Sequence, residues 1–149
     1  MTIETSNLVP IIDLKRTYDL PASKVYEAFA SSEAIQNWFG PTSCSVISAD
    51  WEPAIGQKFR IEVDSEEMGK MAAIGEFQIV EPNEKITMSW NWEGEPASNE
   101  SRLTVTFSES DGKTVLNLIH DGFTVQESRD HHEIGWEGTL DKFSTLVEG

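Results

Sequence analysis

The chain has 149 residues, with 26 acidic side chains against 11 basic ones, a single cysteine and a formal charge of −15. The length suits one domain with a core of its own, and Cys44 has no intrachain partner, which excludes a disulfide scaffold and implies a cytoplasmic location. The acidic excess repels polyanions and excludes nonspecific nucleic-acid binding, and no apolar run approaches the ~20 residues of a membrane-spanning helix.

Residues 1–10 have neither the basic nor the apolar segment of a secretory signal and are expected to form a flexible tail, leaving 11–149 as one domain. From Ile11 to Leu20 the side chains alternate, with Ile12, Leu14, Arg16 and Tyr18 on one side, which predicts a strand. Pro21 suits the first turn of a helix, and Val25, Ala28 and Phe29 follow at helical spacing. Ser31 or Ser32 can cap a second short helix carrying Ile35 and Trp38, which Gly40-Pro41 ends.

From Ser43 onward the period is two. Strands are expected at 43–51, around Phe59-Ile61-Val63, from Met71 to Ile79, from Ile86 to Trp92, around Leu103-Val105-Phe107, and from Thr114 to His120. Glu81-Pro82-Asn83-Glu84 is a tight turn, residues 94–99 a loop, and Asp111-Gly112 a two-residue hairpin. Gly75 inside a strand implies a bulge or bend. Between Ser128 and Val147 the spacing becomes helical again, with Trp136, Leu140 and Phe143 on one stripe and Asp130 and Glu133 as a start signal. Strands in unbroken succession with short turns must be antiparallel, and their apolar face needs the cover that the terminal helix provides. The expected class is α+β: a curved antiparallel sheet wrapped around a long C-terminal helix, with a cavity between them.

Several segments are similar to one known family. They are Asn37-Trp38-Phe39-Gly40-Pro41, Asp50 with Gly56, Gly75, the turn and strand from Glu81 to Trp90, and His120-Asp121-Gly122-Phe123 followed by Gly135-Trp136 and Leu140. In order and spacing, over about residues 11–147, the chain resembles the activator of heat-shock protein 90 ATPase homologue-like family of the START-like, polyketide-cyclase-like helix-grip superfamily. It departs from the pattern at Phe39, where a second Trp is usual, and at Ile55, where a second Gly is usual. The resemblance implies a helix-grip fold and a small hydrophobic ligand in the central cavity. Two alternatives come with it: a co-chaperone in the stress response, and a cyclase- or hydrolase-type enzyme. A chaperone is the protein partner it suggests; separately from the resemblance a homodimer is entertained, and no nucleic acid or membrane partner is expected.

Trp38, Trp51, Trp90, Trp92 and Trp136 either fill the core or line a ligand cavity. The expected cavity is bounded by Phe59, Phe77, Trp90, Trp92, His120 and Trp136, with Trp38 near its entrance. His120 can bond a ligand or act as a base, or it can be a core histidine that donates to a backbone carbonyl. His131-His132-Glu133 lacks the i, i+4 spacing of a zinc helix, so no metal site is assigned and these are expected to be solvated. Gly135 and Gly138 in a helix need either close packing or a ligand to explain them. Arg16 and Tyr18 are polar groups a catalytic cavity could use. There is no nucleophile elbow, phosphate loop or dinucleotide fingerprint, so no catalytic residue and no cofactor is assigned, and Cys44 reads as ordinary filling.

Overall fold

A computed structural model describes residues 9–148; of the expected tail, residues 1–8 lie outside the described part. The chain runs β1 (Ile12–Tyr18), α1 (Ala22–Ala30), α2 (Ile35–Trp38), β2 (Cys44–Asp50), β3 (Lys58–Ser65), β4 (Gly69–Glu81), β5 (Lys85–Trp92), β6 (Ser101–Ser110), β7 (Lys113–Asp121) and α3 (Gln126–Glu148). All seven strands form one antiparallel sheet in the order β1-β7-β6-β5-β4-β3-β2, curled around α3. The helix-grip class expected from the sequence is the one observed. The α1–α2 pair carries the chain from one edge of the sheet to the other.

Local chemistry accounts for most boundaries. Pro21 precedes α1, and its carbonyl accepts from Lys24 N and Val25 N. The Glu109 carboxylate, on distant β6, accepts from Ala22 N at 2.8 Å and answers one orphan donor of the first turn. The serine cap expected for α2 is displaced: the N-cap residue is Ala34, without a side-chain cap bond, and Ser31 instead closes the preceding turn, its Oγ accepting from Ala34 N at 3.0 Å and its carbonyl from Ile35 N at 3.1 Å. Asp111 and Gly112 both have positive φ, 55° and 79°, as a two-residue hairpin between Ser110 and Lys113 requires. The start of α3 differs from expectation. The helix begins at Gln126, so Asp130 and Glu133 lie inside it, where Asp130 bonds Gln126 and both pair with Arg129. Arg129 also donates to the carbonyls of Pro10 and Ile11, tying the start of the described chain to α3.

Sheet β5 is the central strand, and its residues Ile86 to Trp90 are buried on both faces. Its polar pair is satisfied within the sheet: Thr87 donates to Thr104 Oγ1, and Ser89 Oγ accepts from Glu76 N at 2.9 Å. That last bond marks where the β4–β5 ladder departs from regularity. A Cβ on Gly75 would stand 1.9 Å from Ser89 O and 2.6 Å from the Phe59 ring, so only glycine lets the strands approach and the ring lie across them. The register shift itself falls further on, between Phe77 and Ile79. Gly75 is thus the close approach and Gln78 the bulged residue.

The two helix glycines have different explanations. A Cβ on Gly138 would lie 2.8 Å from Pro41 Cβ, so α3 packs tightly on the α2–β2 loop. Around Gly135 nothing stands within 4 Å of that position. Gly135→Ala should therefore raise stability by about 0.5–1 kcal/mol, the helix-propensity difference, whereas Gly138→Ala should lower it. Urea midpoints of the two variants against the parent chain give both signs, and the same sign for both would contradict the packing described.

Candidate functional site

One continuous set of aromatic rings occupies the space between the concave face of the sheet and α3. Trp90 on β5 is its centre, with ring centroids 5.2 Å from Trp136, 5.7 Å from Phe59, 5.9 Å from His120 and 6.0 Å from both Phe39 and Trp92. Phe59 continues the cluster to Phe77 and Trp51. Trp38 joins it through Phe39, but lies on the far side, stacked on Phe29 at 5.1 Å and edge-on to Phe143. Trp38 was expected near an entrance; at 2% exposure it is interior. Trp92, half-buried at the end of β5, is the member that reaches the surface.

His120 links this cluster to the backbone. The Trp136 indole N–H can only donate, and it donates to His120 Nδ1 at 2.9 Å. The proton of the neutral ring is therefore on Nε2, which donates to Ser101 Oγ at 2.7 Å. Ser101 passes its own proton to the Trp90 carbonyl at 3.2 Å. The result is a relay from α3 through β7 and β6 to β5, with both imidazole nitrogens engaged. The expected core histidine is present in modified form: a hydroxyl stands between its N–H and the backbone carbonyl. Burial, and then the neighbouring His132, hold the His120 imidazole well below its ordinary value of 6.5.

A second imidazole repeats the arrangement nearer the surface. His132 Nδ1 donates to Ser128 O at 2.7 Å, and its Nε2 accepts from the Trp92 indole at 2.9 Å. Burial depresses its pKa as well. Phe123 packs against both imidazoles, with centroids 4.4 Å from His120 and 4.8 Å from His132, and the two imidazoles meet edge-on at 5.3 Å. His131, next in sequence, faces solvent. Among the described residues there is no group of three or more His, Cys, Asp and Glu placed to hold a metal ion.

Of the seven residues singled out from the sequence, Phe59, Trp90, Trp92, His120 and Trp136 come together directly, and Phe77 and Trp38 are one ring removed. Arg16 and Tyr18 lie elsewhere. In the β1–β7 ladder His120 pairs with Ile12 and Tyr18 with Thr114, which separates the two sites by roughly 20 Å at the usual strand rise. There Tyr18 bonds Ser144 at 2.8 Å and Arg16 reaches Asp141 at 3.3 Å. The described surface carries shallow hollows elsewhere. One of about 400 Å³ involves Tyr26, Glu27 and Asn83, and one of about 380 Å³ involves Cys44, Asp64 and Ser65; none of the seven residues lines either.

Sequence reasoning missed Phe39, Ser101, Phe123 and His132 as members of the cluster. His132 had a readable signal, since it stands one helical turn before Trp136. Ser101 becomes visible only once the register is known: it faces Trp90 across β5–β6 and is two residues from Leu103, the partner of His120.

Two consequences can be measured. His120→Ala leaves the Trp136 N–H unanswered in a buried setting, removes the donor that Ser101 Oγ accepts from, and should cost at least about 3 kcal/mol; a urea midpoint unchanged from the parent would contradict the relay. The pH dependence has a definite sign. Above pH 6.5 both imidazoles are neutral in the folded and the unfolded chain. As the pH falls below 6.5 the unfolded chain takes up protons that the folded chain does not, so stability declines. Urea midpoints between pH 7.5 and 5.5 should therefore fall, and His132→Asn should flatten the decline.

Comparison with known proteins places this geometry. The family described as "Activator of Hsp90 ATPase homolog 1-like protein" matches residues 19–148. A curated chain from Schizosaccharomyces pombe, "Uncharacterized protein C1711.08", is 22% identical over 116 residues; the match covers 74% of this chain and 29% of that one, so this chain spans under a third of that relative's length. The crystal structure of the AHSA1 (SPO3351) protein from Silicibacter pomeroyi superposes with a TM-score of 0.83 at 19% identity, covering 93% of this chain and 98% of the other. Protein CV1439 from Chromobacterium violaceum gives 0.81 at 22% identity, covering 93% and 97%. At these identities the two structures establish the fold, and the family match over most of the chain establishes the rest: the protein belongs to the activator of Hsp90 ATPase homolog 1-like family.

Proposed function

We propose that this chain is a binding module that takes a small hydrophobic ligand among the rings packed between the concave face of the sheet and α3, which part to admit it. The observation that supports it best is the aromatic cluster around Trp90, which sits where α3 crosses the sheet and reaches the surface at Trp92. Concave, apolar sites with few polar groups suit neutral ligands of this kind. Among the described residues no charged side chain is buried, and the one buried imidazole is held neutral, so an ionised ligand would find no counter-charge there. The enzymatic alternative is weaker, because both nitrogens of His120 are already engaged in structural bonds. The chaperone alternative rests on the family name alone, and no observation favours self-association.

Native mass spectrometry of freshly purified protein should show a small apolar mass that is lost on denaturation. Titration of the stripped protein with the neutral dye Nile red should quench tryptophan emission saturably and raise Tm, since a ligand at 100 times its Kd adds about 2.7 kcal/mol. A bare chain mass together with no saturable quenching would refute the proposal.

A further inference from the structure

We infer that the Trp90 indole N–H is a hydrogen-bond donor to the bound molecule, and that this molecule is uncharged, mainly apolar and carries an acceptor without a donor, such as a ketone, ester or ether. The inference rests on the binding reading above and specifies its ligand class.

The five tryptophans supply the comparison. Trp38 donates to Ala28 O at 3.2 Å, Trp51 to Phe29 O at 2.9 Å, Trp92 to His132 Nε2 and Trp136 to His120 Nδ1, both at 2.9 Å. Trp90 Nε1 alone among them has no partner, and it is the one buried side-chain nitrogen or oxygen without a partner among the described residues. Trp90 is only 2% exposed, so bulk water does not answer it. An unanswered donor in such a place is a sizeable penalty, and the other four rings show that this fold ordinarily meets the requirement.

The surroundings narrow the chemistry. Trp90 is ringed by Phe39, Phe59, Trp92, His120 and Trp136, a shell of rings without a formal charge. A carboxylate or ammonium would enter it uncompensated. The imidazole acceptor nearby is in use, since His120 Nδ1 takes the Trp136 proton, and Ser101 Oγ already accepts from His120 Nε2 and donates to the Trp90 carbonyl. A ligand hydroxyl or amide N–H would bring a further donor to be met in this shell, whereas a carbonyl or ether oxygen resolves the Trp90 donor and adds none.

A matched pair of neutral planar probes tests this, 9-fluorenone and its hydrocarbon counterpart fluorene, each titrated by tryptophan quenching into the parent chain and into Trp90→Phe. The ratio of the two Kd values, hydrocarbon over ketone, should be about tenfold higher in the parent than in Trp90→Phe, the worth of one buried hydrogen bond. Fluorene binding by the variant verifies that its site is still formed. Should Trp90→Phe not fold, the parent alone decides: its ketone must bind tighter than its hydrocarbon, against the order of their transfer from water. Equal or hydrocarbon-favouring affinity in the parent, or a ratio unmoved by Trp90→Phe, overturns the donor assignment and leaves the binding proposal standing. Binding of neither probe overturns both.

Discussion

An imidazole can remain in an apolar core only if both ring nitrogens are answered in one charge state. His120 meets that condition through Trp136 on one side and Ser101 on the other. Three further elements are thereby fixed to β7: α3 through Trp136, β6 through Ser101 and β5 through the Trp90 carbonyl. Low dielectric strengthens such a relay and makes any missing member costly. The position of α3 over the sheet, and with it the shape of the space around Trp90, follows from this single constraint together with ring packing.

Charge is distributed in the opposite sense. The carboxylates sit on outward faces and in turns, and the ion pairs are on the exposed surface. Arg60 holds Glu93 through two bonds of 2.9 Å, and Arg102 reaches Asp121 at 3.4 Å. With 26 acids for 11 bases, most carboxylates have no such partner. Exposed pairs contribute little to stability, so the acidic shell serves solubility and repulsion of anions, and the interior is left to neutral chemistry.

The strand and helix order was legible because alternation and helical spacing are strong in this chain, from Phe59-Ile61-Val63 to Trp136-Leu140-Phe143. Two-residue signals such as Asp111-Gly112 were equally clear, since left-handed backbone demands particular residues. Which aromatic residues meet was legible in part: Trp90 and Trp92 share a strand face and Trp136 lies on the helix stripe. What was hidden depends on register and on distance in the chain. Ser101 could be assigned only from its pairing with Trp90, and the Glu109 carboxylate at the start of α1 comes from a strand 87 residues away. The Asp130 start signal misled because its carboxylate bonds Gln126 and Arg129 inside the helix instead of an open terminus.

The pairing of β1 with β7 joins the first and the last of the seven strands, Ile12 against His120 and Tyr18 against Thr114. Such non-local pairing is slow, because a long loop must close before any contact rewards it. During synthesis, at about 5–20 residues per second, β1 and the helices after it emerge well before the strand that completes their edge of the sheet. The β2–β6 succession can assemble hairpin by hairpin in the meantime, since each strand neighbours the next. Of the seven strands β1 is therefore made first and is among the last to find its place, since its neighbour in the sheet, β7, is the last of them in the chain.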